Sequence, residues 1–184
     1  MEDETIISLI LALMFAGHET TSGQVSWTII QLLQNPIYLA LVKQELAECL
    51  PYGTPIDVRA LGDLPHVAWA VDETTRMHPS ADVIIRMAEE EIEVGDYRIP
   101  QGWVVFVTAG TAQRLPEWFA EPDGYDPLRF APGREEDRQH HFAIIGFGGG
   151  VHRCAGMNFV NLYPFTSSPL RPGSRFPGIP ARRG

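Results

Sequence analysis

Phe147-Gly148-Gly149-Gly150-Val151-His152-Arg153-Cys154-Ala155-Gly156 decides how the rest of the chain is read. It follows an apolar run, Phe142 to Ile145. Three consecutive glycines let a backbone approach a partner that a Cβ would hold away. One cysteine comes next, at the start of a segment, Ala155 to Leu162, that can begin a helix. A thiolate at a helix N-terminus is stabilised by the partial positive charge of unpaired amides. The stretch reads as a device for holding a sulfur against a large, flat, close partner.

Four kinds of chemistry compete for that sulfur. Haem iron with an axial cysteine is a partner of the required shape. A zinc site would use His152 and Cys154 with His140 and His141, yet no Cys-x-x-Cys pair exists and Cys49 is far away in sequence. A cysteine nucleophile with a distant base remains open. The fourth reading is a small buried cysteine in a glycine turn, which the flanking Phe147, His152 and Arg153 make less apt.

Working outward, Thr5 to Leu33 predicts one long helix that is apolar almost all round from Ile6 to Phe15. A helix without a polar face is expected to be buried on every side. Asn35-Pro36 ends it and opens the next, with Asn35 as N-cap. Inside the long helix sits Ala16-Gly17-His18-Glu19-Thr20-Thr21. Polar groups in an apolar helix are costly unless paired or used. Gly17 leaves room for a ligand, and Thr20 can bond back to the Ala16 carbonyl. A carboxylate beside a hydroxyl can relay protons into a dry pocket; the alternative is a kink whose polar groups are satisfied by neighbours.

Ile37 to Leu50 predicts an amphipathic helix with Leu41, Val42 and Leu46 inward and Lys43, Glu45 and Glu48 outward, and Cys49 packed in the core. Asp57 is expected to cap a short helix over Val58 to Leu61. Pro65 to Met77 is the next helix, closed by His78-Pro79, and it carries Glu73 and Arg76 on one face. Strands are expected at Val83 to Ala88, Glu91 to Val94, Tyr97 to Ile99 and Trp103 to Thr108. Arg86 interrupts the first strand and needs an anionic partner if buried. Leu115 to Gln139 has little periodicity and is expected to be irregular.

The 184 residues suffice for one domain with a core, and a hydrophobic content of 45% is that of a globular chain. Fourteen basic against 23 acidic residues, net -9, exclude nucleic acid as an expected partner. Two distant cysteines give no disulfide framework. The start, Met1-Glu2-Asp3-Glu4, is acidic rather than signal-like. The run Ile6 to Ala16 falls short of the about 20 apolar residues of a membrane span, so no membrane segment is expected.

Phe147-x-x-Gly150-x-His152-x-Cys154-x-Gly156 resembles the haem-binding signature of the cytochrome P-450 superfamily, and the chain is identified as a member on that motif. The resemblance implies haem b (iron protoporphyrin IX) as cofactor and a mainly helical fold with a small side sheet. It makes Cys154 the iron ligand, with Phe147 shielding the sulfur, Gly148 and Gly150 shaping the cradle, and His152 and Arg86 reaching haem propionates. Ala16-Gly17-His18-Glu19-Thr20-Thr21 is similar to the family's oxygen-activating helix, which makes Glu19 and Thr20 the catalytic acid and alcohol. Glu73, Arg76 and Arg129 match the family's structural trio beneath the haem.

The activity implied is insertion of one oxygen atom of O2 into a C–H bond of a small apolar substrate, with electrons from a ferredoxin or reductase, in a cytoplasmic protein of the bacterial type. Met14 to Trp27 and Ile84 to Ile99 most resemble sterol 14α-demethylases. Those enzymes usually carry His at the place of Glu19, a departure that points from sterols toward a generic monooxygenase. Family chains run much longer on the N-terminal side. Residues 1–159 are therefore read as the C-terminal haem-binding part of such a domain. Residues 160–184, with Pro164, Pro169, Pro172, Pro177 and Pro180, are read as an aberrant, frameshifted-looking and disordered tail. A chain of this extent is expected to aggregate or pack loosely by itself and not to turn over substrate; the alternative is a non-catalytic haem- or metal-binding fragment.

Overall fold

The computed structural model describes residues 3–51 and 63–156. Helix α1, Asp3–Gln34, runs 32 residues without a proline and stops where Pro36 disfavours helical geometry at Asn35. Asn35 is the N-cap of α2, Pro36–Cys49, but its side chain makes no cap bond there. Its Nδ2 donates instead to the Gln31 carbonyl at 2.8 Å, so it closes the helix behind it rather than opening the one ahead. Helix α3, Pro65–Met77, starts on a proline and ends before His78-Pro79, as its sequence predicts.

The three helices meet around Tyr38, Val42 and Ala70, with Leu32, Leu41, Leu46 and Val67 packed against them. One expectation for α2 fails. Glu45 is buried, not exposed. Its carboxylate accepts from the backbone N–H groups of His66 and Val67 at 2.8 and 3.0 Å, and lies 2.8 Å from His66 Nδ1. These are orphan donors in the first turn of α3, where an anion also complements the helix dipole. An amphipathic pattern cannot show that a neighbouring helix end will claim a charged side chain. Cys49 is half-buried, and its thiol points to the Asp63 carbonyl.

Ile6 to Phe15 is not enclosed by the described residues, Leu13 and Phe15 each being 70% exposed, so the burial expected for it in a larger protein is not tested. Contacts to α2 and α3 come from the second half of α1, where Thr28 and Gln31 are buried. By length and composition α1 could cross a bilayer, with a mean hydropathy of 1.3 over its most apolar 18 residues, a property that core helices of soluble proteins share, so the expectation of no membrane segment is not overturned. His18, Glu19, Thr20 and Thr21 would sit inside such a span, which favours protein or a cavity as their surroundings.

Strand β1, Val83–Met87, pairs antiparallel with β4, Val104–Thr108, in the register Ile85↔Phe106. Between them β2, Ile92–Val94, and β3, Tyr97–Ile99, form a hairpin across Gly95-Asp96. Val83, Ile85, Met87, Val104 and Phe106 share one face of the β1–β4 ribbon and are all exposed. A four-residue helix, α4, Ala109–Ala112, follows β4. It has no period to read. Asp82 anchors it: the backbone N–H groups of Ala109 and Gly110 donate to the Asp82 carbonyl and carboxylate at 2.6 and 2.7 Å. Beyond it the irregular stretch holds short 3-10 turns at Pro127–Phe130 and Glu136–Arg138. The expected helices at Val58 to Leu61 and after Cys154, and the tail at 160–184, lie outside the described residues.

Candidate functional site

The site rests on a buried ion-pair platform. Glu73 and Arg76 are one turn apart on α3, both at 0% exposure, as is Arg129. Arg76 donates through Nε and Nη2 to the two Glu73 oxygens at 2.7 and 2.9 Å. Arg129 Nε donates to Glu73 Oε1 at 3.1 Å, and its Nη1 to Glu136 Oε2 at 2.6 Å. Two buried guanidiniums thus face two carboxylates, and Arg134 at the edge joins Glu136 to Asp126 at 2.5 and 2.6 Å. Phe119, fully buried, lies 5.1 Å from the Arg76 guanidinium carbon and 5.9 Å from that of Arg129.

Glu136 is a member that the sequence reading missed. It lies in the aperiodic stretch and looks like one of several surface acids. Burial raises its pKa, but hydrogen bonds from Arg134 and Arg129 outweigh burial and hold it below the usual carboxylate range. A lowered folded-state pKa stabilises the fold above the unfolded value, about 4.3 for Glu. That contribution is lost as pH falls through the folded value. Glu136→Gln should therefore destabilise the fold most near neutral pH. Denaturant titrations of both forms between pH 7 and 3 should show their stabilities converging in acid; a constant gap would overturn the sign.

Gln113, also missed, joins this platform to the cysteine stretch. Its side chain is fully buried at the end of α4. Gln113 Nε2 donates to the carbonyls of Thr75 and Arg76 at 3.1 and 2.9 Å, and Oε1 accepts from the backbone N–H of Ile145 and Gly146 at 2.9 and 2.8 Å.

From Gly146 the loop closes on itself. The Gly148 N–H donates to Ile145, Arg153 to Gly150, and Cys154 to the Phe147 carbonyl at 2.8 Å. Gly148 has φ +74°, and a Cβ there would stand 3.0 Å from the His152 carbonyl. A Cβ on Gly149 would meet the Phe142 ring at 3.2 Å. The loop's own turn therefore favours glycine at 148, through its positive φ and the nearby His152 carbonyl, while at 149 the Phe142 ring would have to shift slightly. Gly150 also has positive φ and has open space beside it. Phe147 is half-buried, while His152, Arg153 and Cys154 are exposed.

On α1, Thr20 Oγ1 donates to the Ala16 carbonyl at 2.7 Å, as its place in the helix predicts. Its own carbonyl accepts from Ser80 Oγ at 3.0 Å. Glu19 does not partner Thr20 among the described residues; it lies 3.4 Å from His18 Nδ1, and both side chains are exposed. Adjacent helix positions point about 100° apart, so neighbours in sequence need not face one target. A Cβ on Gly17 would meet nothing within 4 Å. Arg86 is exposed on β1, and one guanidinium nitrogen bonds the carbonyl of its neighbour Ile85.

The turn His78-Pro79-Ser80 draws these parts together. The His78 ring stacks on Trp27 of α1 at 4.1 Å, and its Nε2 is 2.8 Å from Gln31 Nε2. Burial, and then the Arg114 charge, lower the pKa of His78. Pro79 lies against Gly146, and Ser80 against Thr20. A cavity of about 620 Å³ opens beside this turn, lined by Trp27, His78, Asp82, Arg114 and Asp123 among others. None of the residues singled out from the sequence lines it.

The geometry separates the readings left open for Cys154. Cys154 is exposed, so it does not pack in the core of the described residues. Among the described residues no three His, Cys, Asp or Glu side chains gather as a metal-binding group, which removes support for zinc. By residue type alone, an exposed sulfur, the basic side chains of His152, Arg153 and Arg86, and the bare apolar faces of β1–β4 and α1 are what a flat, apolar, anionic group would take; each of them is exposed.

Comparison with known proteins agrees. The chain is 40% identical over 157 residues to a sterol 14α-demethylase of Mycolicibacterium vanbaalenii, covering 85% of this chain and 35% of that protein. It is 35% identical over 167 residues to an obtusifoliol 14-alpha demethylase of Triticum aestivum, 87% of this chain and 37% of that protein. It is equally 35% identical, over 163 residues, to a flavonoid 3'-monooxygenase of Petunia hybrida, 86% of this chain and 32% of that protein. The chain thus spans about a third of the length of the curated relatives it matches. The family described as Cytochrome P450 matches residues 1–163, and the chain belongs to that family.

Proposed function

We propose that this chain is the haem-thiolate part of a cytochrome P450 monooxygenase that acts on an apolar substrate, a sterol or another lipid. The observation that carries the reading is an exposed Cys154 presented by a closed glycine loop, itself tied through Gln113 to a buried ion-pair platform. When bound, haem b with a cysteine ligand supplies activation of O2, with electrons from a ferredoxin or reductase, for insertion of one oxygen atom into a C–H bond.

The residues of this chain bind, orient and move protons. Cys154 supplies the ligand sulfur, and Phe147 covers it from water. Gly148 and Gly150 let the loop turn tightly enough to keep that sulfur forward. His152 and Arg86 offer positive charge to the carboxylates at the rim of the group. Thr20 keeps lone pairs free beyond its bond to Ala16, and the space beside Gly17 leaves that hydroxyl accessible. Glu19, one residue away and exposed, connects it to solvent protons. The exposed apolar face of β1–β4 suits a hydrophobic substrate wall.

The relatives named for sterols favour a sterol, but the flavonoid enzyme is equally similar to the wheat one, so the substrate class is argued from apolarity alone. The test is the reduced carbon monoxide difference spectrum of the haem-loaded protein, where thiolate ligation gives its characteristic Soret position; a spectrum of histidine-ligated type, or stoichiometric zinc, would refute the reading. In a hybrid joined behind the N-terminal two thirds of the Mycolicibacterium relative, Thr20→Ala should retain haem and substrate binding and lose about 10²–10⁴ in product formation rate. Product yield per electron consumed is the measurement, and an unchanged yield would remove Thr20 from proton delivery.

A further inference from the structure

We propose that Gln113 is the positioning residue of the cysteine loop: its side-chain amide sets where the Phe147–Cys154 loop begins relative to the end of α3, and so where the Cys154 sulfur is presented. A primary amide has two N–H donors and two acceptor lone pairs. Gln113 uses all four, at 3.1, 2.9, 2.9 and 2.8 Å, in full burial. The donors go to consecutive carbonyls, Thr75 and Arg76, at the end of α3. The acceptor takes consecutive N–H groups, Ile145 and Gly146, at the entry to the loop. Two segments 69 to 71 residues apart in sequence are thus held by one planar group.

The backbone of Gln113 is held as well. Its carbonyl accepts from Arg76 Nη1 at 3.0 Å, and its N–H donates to Ala109 at 2.9 Å. At the other end Gly146 has no slack: a Cβ there would lie 3.3 Å from Pro79 Cβ and 3.4 Å from both Gln113 Oε1 and the Thr75 methyl. From that fixed start the Gly148–Ile145 and Cys154–Phe147 bonds carry the position on to the sulfur-bearing residue. A glutamine buried only for packing would not need two successive loop amides on one oxygen. The role of the sulfur rests on the haem-thiolate reading above, whereas the clamp is a property of the described residues alone.

Hydrogen exchange of the 184-residue chain, resolved at the amides of Ile145 and Gly146, tests the clamp without haem. Gln113→Met keeps the length and removes every polar atom. It should speed exchange at those two amides by about tenfold or more, with the middle of α3 still protected. Gln113→Glu keeps an acceptor oxygen and should restore most of the protection. Rapid exchange of both amides in the unmodified chain, or no change in Gln113→Met, would overturn the proposal. If Gln113→Met loosens α3 too, the glutamate form decides: retained protection at Ile145 and Gly146 supports the clamp and its loss refutes it.

The reduced carbon monoxide spectrum of the haem-loaded protein is the second readout. Gln113→Met should convert a large part of the thiolate band to the non-thiolate form, and Gln113→Glu should largely retain it. A full thiolate band in Gln113→Met, with exchange already accelerated, would refute positioning of the sulfur. Absence of the band in the unmodified protein would instead strike the haem-thiolate reading and leave the exchange result standing.

Discussion

Cys154→Ala is expected to abolish thiolate-type haem binding, while Cys49→Ala leaves it intact. The two cysteines differ in every relevant respect. Cys154 is exposed at the end of a closed loop, whereas Cys49 is half-buried with its thiol turned to the Asp63 carbonyl. Only a deprotonated sulfur able to reach a ligand acts as a strong donor. The comparison is made in the hybrid with the Mycolicibacterium relative, by reduced carbon monoxide spectroscopy. Apolar contacts can admit haem to the alanine protein as well, so the band position, not haem content, is decisive. A normal thiolate band in Cys154→Ala would sink the assignment outright.

The second large effect belongs to the platform. Arg129→Ala should cost about 3–5 kcal/mol of folding stability, because it strips a buried guanidinium shared by Glu73 and Glu136 and leaves each carboxylate with a single cationic partner, Arg76 and Arg134 respectively. A whole domain is stable by only about 5–15 kcal/mol, so this one change can decide whether the chain folds. Arg129→Lys should recover little, since an ammonium cannot also reach the Ala120 carbonyl while bridging both carboxylates. Arg98→Ala is the control. Arg98 pairs with Glu91 and Glu93 at 3.6 and 3.2 Å but is 70% exposed, and exposed pairs contribute about 0–1 kcal/mol. Denaturant unfolding of the three variants gives the comparison. Equal, small losses for Arg129→Ala and Arg98→Ala would show that the buried network contributes nothing particular.

The elements that periodicity and prolines define were legible. Pro36, Pro65 and Pro79 mark helix limits in the sequence and in the structure. The four strands were legible from their β-branched residues and the glycine turns between them. What stayed hidden was the set of residues whose partners lie far along the chain. Glu45 looks like surface on α2 because the amides it binds belong to α3. Gln113 and Glu136 sit where no period exists, so only their burial reveals them. The glycine run is legible in the sequence, but the positive φ of Gly148 and its closeness to the His152 carbonyl are not. Glu19 and Thr20 are legible as an acid and an alcohol in an apolar helix, but not the direction of their side chains, which the helix sets about 100° apart with Glu19 3.4 Å from His18 Nδ1.

The turn between α3 and β1 also fixes where this polypeptide tolerates a change of length. His78, Pro79 and Ser80 are consecutive, and each is fastened to a different place: Trp27 and Gln31, Gly146, and Thr20. One inserted residue would shift the chain by about 3.3–3.8 Å. No single shift can then satisfy all three fastenings. The hairpin at Gly95-Asp96 is the opposite case: it is exposed, and a Cβ on Gly95 would meet nothing within 4 Å. Insertions and deletions should therefore accumulate at Gly95-Asp96 and be absent from His78-Pro79-Ser80, where the number of residues, more than their identity, is what the fold holds constant.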